Sequence, residues 1–265
     1  MIRVLCLPTL CADIFEQSGE ILPGGEALNF ACIASRYDHV ALSLLGAIGN
    51  DPAGHRILEV IDEYGINRDH VHVLPEGRTA THMISIDEHG DRYFKPGAWD
   101  GGVLDIYRLS EKDAEALYAS DVVFVTWYSP NFREALALRK EGHFRLAVDF
   151  DIERDFDKME AVLPWVDFFM ISGDDSVLPV AKAWSEKHDG LFNVTLAAEG
   201  SVTYLHGQEY RVKAVPVAEV IDTTGCGDSY HAGFVCSYMK DGDILAAMHE
   251  GSKVASETLS HLGGF

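Results

Sequence analysis

The chain has 265 residues, of which 42 are acidic and 21 are basic, so its formal net charge at neutral pH is −21. Nucleic acids bind proteins through clustered Lys and Arg side chains that displace counterions, so this charge balance excludes a nucleic-acid partner. Hydrophobic residues make up 47% of the chain and charged residues 24%, which is typical of globular proteins and not of disordered chains. The length suits one α/β domain better than two independent cores.

The apolar runs and the cysteines indicate the environment in which the protein works. The longest apolar runs, at 41–49 and 122–127, are shorter than the about 18 residues that a membrane helix needs, so we expect no membrane partner. The cysteines are odd in number and form no CxxC pair, which predicts reduced thiols and a cytoplasmic location. They are Cys6, Cys11, Cys32, Cys226 and Cys236.

A capped helix is predicted from Asp51-Pro52 onward. An aspartate accepts hydrogen bonds from the free amides of a helix start, and a proline suits the first helical position. Gly65 ends the pattern. The residues that share the apolar face between these ends are Ile57, Leu58, Ile61 and Tyr64.

Short alternating strands replace the helical pattern between positions 70 and 95. The predicted strands are His70–Leu74, Thr81–Ile86 and Arg92–Lys95, with a turn at His89-Gly90. Together with the segment 14–22, they predict a small sheet that covers the ligand-binding edge of the main domain as a lid. A hairpin that merely extends the main sheet explains the same pattern, so both interpretations stay open at this point.

Farther along the chain, strand-like runs alternate with amphipathic stretches of helical period. This rhythm predicts an α/β fold in which a mainly parallel sheet is covered by helices on both faces. The carboxyl ends of such strands meet at one edge of the sheet, where α/β folds bind ligands. The predicted strands are 121–126, 144–149, 166–171 and 192–196.

A glycine-rich segment, Asp222-Thr-Thr-Gly-Cys-Gly-Asp228, precedes the next helical pattern. Glycines let the backbone approach a ligand closely, and a helix start points free N–H groups at it, so Gly225, Cys226 and Gly227 predict an anion hole. Asp228 beside that hole predicts phosphoryl transfer, in which a carboxylate accepts the proton of the attacking hydroxyl. The alternative is a capped helix start with a plain glycine turn. The segment fits neither a P-loop nor the dinucleotide motif GxGxxG.

These residues resemble the second signature, DTxGAGD, of the ribokinase-like (PfkB) carbohydrate kinases, with Cys226 in place of the alanine. The first signature of that family, a glycine pair followed by an asparagine, has its counterpart in Gly24, Gly25 and Asn29. The resemblance implies a single three-layer α/β domain over residues 1–265 with a small β-sheet lid formed by about 14–22 and 70–99. It also implies ATP as phosphoryl donor, Mg²⁺ on the phosphates, and a sugar or nucleoside hydroxyl as acceptor.

The resemblance implies roles for particular residues. Asp228 would be the catalytic base, with Gly225, Cys226 and Gly227 as the amide cradle. The acceptor would contact Asp13, Gly24, Gly25 and Asn29. The nucleotide would contact Thr195, Ala197, Gly200 and Thr223, and Asp175 would act indirectly on the water shell of the metal. A monovalent cation and a homodimer through the lid stay open.

Four positions depart from the family pattern: Pro8-Thr9 stands where Gly-Asp is usual, Ser172 where Asn is usual, and Ala197 where Gly is usual. Within the family, the stretches Ser35–Tyr37 and His261–Phe265 are most similar to fructoselysine 6-kinases, which phosphorylate a fructosamine adduct of lysine. The alternatives are a kinase for ribose, fructose, 2-keto-3-deoxygluconate or a nucleoside, and a non-catalytic sugar- or nucleotide-binding module.

Overall fold

The computed structural model describes residues 1–7, 9–86, 92–93 and 95–265. The strands are β1 (Ile2–Cys6), β2 (Cys11–Phe15), β3 (Ile21–Gly24), β4 (Val40–Gly49), β5 (Asn67–Leu74), β6 (Ala80–Ile86), β7 (Arg92–Tyr93), β8 (Trp99–Asp100), β9 (Val122–Thr126), β10 (Arg145–Asp149), β11 (Phe168–Ser172), β12 (Leu191–Thr195), β13 (Ser201–Leu205) and β14 (Gln208–Val212). The helices are α1 (Glu26–Ala34), α2 (Pro52–Glu63), α3 (Glu111–Ala119), α4 (Phe132–Glu141), α5 (Phe156–Glu160), α6 (Leu178–Ser185), α7 (Cys226–Asp241) and α8 (Ile244–Thr258).

A large sheet forms the centre of the molecule, with the strand order β14-β13-β12-β11-β10-β9-β1-β4-β5. Its strands pair in parallel from β5 to β12, and β13 and β14 continue it in antiparallel pairing. Helices α1, α2, α7 and α8 pack on one face, and α3 to α6 pack on the other. Successive strand residues point to opposite faces of the sheet. Val4 therefore belongs to the core on the side of α1, α2, α7 and α8, and Leu5 belongs to the core on the side of α3 to α6. The α/β prediction with a mainly parallel, doubly covered sheet is confirmed.

The four later strands lie within one or two residues of their predicted positions, as β9 to β12. They are neighbours in the large sheet and run in parallel, so their carboxyl ends share one edge. The helix predicted at Asp51 is also present. The Asp51 carboxylate accepts a 2.8 Å hydrogen bond from the Gly54 amide, and Gly65 follows the helix end with φ of +64°.

A second, smaller sheet has the order β3-β2-β6-β7, with β8 also paired to β6. The hairpin alternative is therefore wrong for β6, because β6 pairs with β2 and not with the large sheet. For the segment His70–Leu74, the interpretation as part of the small sheet is wrong. It belongs to β5, which pairs in parallel with β4 at the edge of the large sheet. Alternation of period two is the same for an edge strand of either sheet, so the pattern does not distinguish them.

Some predicted features fall outside the described residues. They are Pro8, the turn at His89-Gly90 and part of the predicted strand 92–95. Within the described ranges, no helix is both long and apolar enough to span a bilayer.

Candidate active site

A cavity of about 560 Å³ lies between the carboxyl edge of the large sheet, the start of α7 and the small sheet. It brings together residues that are far apart in the sequence. Those predicted from the sequence that line it are Asp13, Gly25, Asn29, Thr223, Gly225, Gly227 and Asp228. Residues of both sheets line this cavity, so the small sheet borders the space that a lid would cover, and its role as a lid stays a prediction.

The glycine-rich segment forms the start of α7 at the cavity wall. Gly225 is the residue before the helix and has φ of +70°, and a Cβ there would lie 2.4 Å from the Cα atom of Gly264. Asp222 stabilises the turn, since one carboxylate oxygen accepts hydrogen bonds from the Thr224 amide at 2.9 Å and from its hydroxyl at 2.7 Å. At Gly227, a Cβ would meet nothing within 4 Å. The first amides of the helix therefore border open space, as an anion hole requires.

Cys226 stands where the family has alanine. Its side chain is half-buried and points its Sγ atom at the carbonyl of Ala255, 3.7 Å away. Burial, with a smaller effect of Asp228, raises the pKa of this thiol to about 11. Cys226 does not line the cavity. Its backbone N–H donates a 3.3 Å hydrogen bond to the carbonyl of Thr223 within the turn, and its thiol is protonated at neutral pH.

Asp228 lies in the first turn of α7 and is 8% exposed. Its Oδ2 atom accepts a 2.8 Å hydrogen bond from Nδ2 of Asn29, which is buried in α1 and 199 positions away in the sequence. A neutral amide fixes the orientation of the carboxylate without cancelling its charge. Asn29 was predicted to contact the acceptor, which stays a prediction, and in the structure its amide orients the predicted base.

The glycine pair lies beside Asp13. A Cβ at Gly24 would stand 2.3 Å from a carboxylate oxygen of Asp13, and a Cβ at Gly25, where φ is +101°, would stand 2.1 Å from the carbonyl oxygen of Thr9. Only glycines allow the chain to pass this closely. Asp13 and Gly25 line the cavity, whereas Gly24 lies behind Asp13 and does not.

The sequence reasoning missed Asp149 and His231. Asp149 is 5% exposed, ends β10 and lines the cavity, and its Oδ2 atom lies 3.1 Å from Nδ1 of His231. Burial alone would lower the pKa of His231, but the carboxylates of Asp149, Asp228 and Asp151 together outweigh burial and raise it. Asp149 was the last residue of a predicted strand, so the rule of carboxyl ends was a usable signal. His231 lies one helical turn after Asp228, and nothing local in the sequence indicates its partner.

The cavity is strongly acidic. Among the residues that the structure describes, none of those lining it is a lysine or an arginine. Burial and the nearby carboxylates of Asp228 and Asp149 raise the pKa of Glu26 well above its ordinary value. The lining carboxylates are Asp13, Glu26, Asp105, Asp149, Asp151 and Asp228. A cationic ligand would relieve this crowding of like charges.

Three residues expected on the nucleotide side lie beyond the cavity wall. Thr195 ends β12, and its Oγ1 atom is 3.3 Å from the hydroxyl of Ser172, which does line the cavity. Ala197 has φ of +48°, so the chain keeps at this position a conformation that favours glycine. Gly200 has φ of +100°, and a Cβ there would lie 2.1 Å from the carbonyl oxygen of Val212. These residues do not line the cavity.

No preformed metal cage is evident in the described part of the chain, since it holds no group of three or more His, Cys, Asp or Glu residues arranged for a metal ion. Asp175, which the resemblance connects with the water shell of the metal, is exposed and does not line the cavity. The residues present do not fit a dedicated magnesium site. A Mg²⁺ ion that arrives with nucleotide phosphates keeps several waters and needs no such cage.

Comparison with protein families and solved structures agrees with this geometry. A family model described as pfkB family carbohydrate kinase matches residues 15–264. A fructosamine kinase of Bacillus subtilis is 28% identical over 96% of this chain and 89% of its own length. A fructoselysine 6-kinase of Escherichia coli is 29% identical, with 96% of each chain covered.

Solved structures share the fold at lower sequence identity. The ribokinase of Arabidopsis thaliana, complexed with ribose and ATP, superposes with a TM-score of 0.82 at 18% identity over 99% of this chain and 94% of its own. The adenosine kinase of Sinorhizobium meliloti superposes with a TM-score of 0.81 at 20% identity over 99% and 95% of the two chains. The predicted ribokinase-like fold is confirmed.

Proposed function

Because the chain belongs to the PfkB family of carbohydrate kinases and is a phosphotransferase with an alcohol acceptor, we propose that it uses ATP to phosphorylate a sugar-amine. Fructoselysine, converted to fructoselysine 6-phosphate, is the leading candidate acceptor. The names of the fructosamine kinase and fructoselysine 6-kinase relatives support this choice. These relatives are below 30% identity, so the choice also needs support from the cavity itself.

The observation that carries the proposal is the charge of the cavity wall. A fructosamine contains an amine that is protonated near neutral pH, and the lining carboxylates favour such a cation over a neutral hexose. The same wall disfavours an acceptor that already carries a phosphate, because the described lining offers no Lys or Arg to hold a further phosphate beside the amides assigned to the transferred group. A sugar-amine is thus the acceptor class with the best charge complementarity.

In the proposed reaction, the acceptor hydroxyl lies between Asp13 and Asp228. Its oxygen forms a bond to the γ-phosphorus of ATP while the bond to the β,γ-bridging oxygen breaks, and ADP leaves with that electron pair. Asp228 accepts the hydroxyl proton. The amides of Gly225 and Gly227 stabilise the charge on the phosphoryl oxygens during transfer, and the amide of Cys226 joins them when it releases the carbonyl of Thr223. Asn29 holds the Asp228 carboxylate in place.

The remaining assignments belong to this proposal. Magnesium that arrives on the nucleotide supplies charge neutralisation of the phosphates. The nucleotide is assigned to Thr195, Ala197, Gly200 and Thr223, of which Thr223 lines the cavity. All five cysteines are free thiols, which supports the cytoplasmic location. The monovalent cation and the homodimer through the lid need their own experiments.

The test is release of ADP from Mg-ATP with a panel of acceptors: fructoselysine, fructose, ribose, 2-keto-3-deoxygluconate and adenosine. We expect the highest kcat/KM with fructoselysine, and no turnover above background in Asp228→Asn. A higher kcat/KM with a neutral acceptor would overturn the sugar-amine assignment. Bound ATP without ADP release across the panel would contradict catalysis and favour a binding module.

A further inference from the structure

Three cavity residues form a row across the inner face of the small sheet. Asp13 of β2 is the register partner of His82 in β6, and His82 is the register partner of Trp99 in β8. All three line the cavity. The rings of His82 and Trp99 meet edge to face, with centroids 5.6 Å apart and an interplanar angle of 85°. The row therefore continues the cavity floor from a carboxylate to an aromatic pair.

The spacing of this row sets the size of a ligand. Neighbouring strands lie about 4.8 Å apart, so Trp99 is roughly 10 Å from Asp13 across the sheet. A sugar whose hydroxyl binds at Asp13 covers only the first part of that distance. An acceptor with a substituent on the sugar would place the substituent near His82 and Trp99.

Two further residues of the cavity wall bear on this row: Asp105 lies on the Trp99 side, and Tyr128 lines the same cavity from the large sheet. Asp105 follows β8, and its carboxylate occupies the space beside Gly101, where a Cβ would stand 2.0 Å from the carboxylate carbon. Tyr128 follows β9 and is 57% exposed, and its hydroxyl donates to Glu153 at 3.4 Å. The wall here thus combines exposed aromatic surface with a carboxylate.

That combination recognises an organic ammonium group. The face of an indole or phenol ring attracts a cation, with tryptophan the strongest, and a nearby carboxylate adds a direct charge contact. We propose that His82, Trp99, Asp105 and Tyr128 form a subsite for the ammonium-bearing part of the acceptor. This subsite rests on the proposed function, because it assumes that the acceptor's reacting hydroxyl binds near Asp13 and Asp228.

Calorimetry measures the binding that the subsite predicts, separately from turnover. The dissociation constants of fructoselysine and fructose are compared in the wild-type protein, Trp99→Leu and Asp105→Asn. We expect both variants to bind fructoselysine about 5- to 30-fold more weakly, the range of a cation–π contact, and to bind fructose as the wild type does. Tyr93→Leu is the matched control, since Tyr93 is an exposed aromatic residue of the same sheet that does not line the cavity.

Three outcomes would overturn the subsite. The wild type could bind fructoselysine no more tightly than fructose, or the variants could keep wild-type affinity for it. The third is a rise in the KM for ATP in Trp99→Leu, which would assign the indole to the nucleotide. A failure of the proposed function is distinguishable, because it shows in the turnover assay, as absent turnover or as a higher kcat/KM with a neutral acceptor, whereas a failure of the subsite alone leaves fructoselysine the best substrate.

Discussion

Two buried carboxylates, Asp113 and Asp228, show how the same chemical group stabilises the fold in one place and lines the candidate active site in another. Asp113 is completely buried and is surrounded by protein donors. It accepts from the Ser110 amide at 2.9 Å, and four side chains contact it: Ser110 at 2.6 Å, Tyr107 at 2.5 Å, and His70 and His72 at 3.2 Å. These contacts attach α3 to the edge strand β5.

Asp228, by contrast, lines the cavity and lies among other carboxylates. Like charges that lie close together raise the free energy of the folded state. A protein keeps such an arrangement where function requires it, and its stability comes from elsewhere. The comparison teaches that burial of an acid does not by itself indicate a site. A cavity on one side of the buried carboxylate does indicate a candidate site.

The largest predicted effect is on turnover in Asp228→Asn. Loss of the general base should lower kcat by roughly 10²- to 10⁴-fold. Because asparagine removes one charge from a crowded group of carboxylates, the melting temperature should stay unchanged or rise. Steady-state kinetics and thermal unfolding measure the two quantities. A variant with normal kcat would contradict the role of base, and an unfolded one would place Asp228 with Asp113 as a structural residue.

The converse effect is predicted for Asp113→Asn. An amide cannot accept from all the donors around this position, so the free energy of unfolding should fall by about 2–3 kcal/mol. The kcat of the folded fraction should stay as in the wild type, since Asp113 does not line the cavity. Urea titration and kinetics at low temperature test this. Normal stability would show that the contacts around Asp113 contribute little.

A matched pair of glycines at the two ends of α7 tests the anion hole. Gly225 and Gly242 both have left-handed conformations, with φ of +70° and +71°, but only the Cβ of an alanine at position 225 would collide with neighbouring backbone. Gly242→Ala should cost about 1 kcal/mol of stability and leave kcat unchanged. Gly225→Ala should cost about 1–3 kcal/mol and lower kcat as well. Equal kcat in the two variants would show that the turn at Gly225 does not contribute to catalysis.

The smallest effects are on the pH dependence of stability. Burial raises the pKa of Asp113, but the surrounding hydrogen bonds outweigh it and lower the pKa below 3.8. Its contribution is therefore present above that pH and is lost as the pH falls through the folded-state value. The pKa of His231 is raised above 6.5, so its contribution is present below pH 6.5 and is lost as the pH rises through the folded-state value.

Melting temperatures from pH 2 to pH 9 check these opposite slopes. Asp113→Asn should flatten the acid side of the wild-type profile, and His231→Gln should flatten the side above about pH 6.5. A profile of His231→Gln that runs parallel to the wild type would show that the pair with Asp149 does not titrate with folding.

Local signals predicted much of the fold and part of the site. The cap at Asp51, the strands β9 to β12 and the glycine turn before α7 are encoded in a few adjacent residues, and each was predicted close to its observed position. Signals that depend on distant partners were weaker. The sheet that His70–Leu74 joins depends on β4, and periodicity alone does not reveal it.

In the candidate site, too, the contacts between residues that are far apart in the sequence were not predicted. Asp149 and His231 come from different elements, and only the packing of α7 on the sheet brings them together. Asn29 was assigned to the acceptor, although its nearest role in the structure is the hydrogen bond to Asp228. A side chain's residue type predicts which bonds it can make, but the partner is set by the tertiary fold.

That hydrogen bond also bears on how activity is acquired during folding. Asn29 and Asp228 are 199 positions apart, and contacts of such long sequence separation form late because loop closure must precede them. In the proposed mechanism, a chain that has formed only its N-terminal strands and helices lacks an oriented base, because Asn29 has not yet met Asp228. Recovery of turnover during refolding should therefore lag behind recovery of helical circular dichroism, and the enzyme's own reaction becomes a probe for completion of the fold.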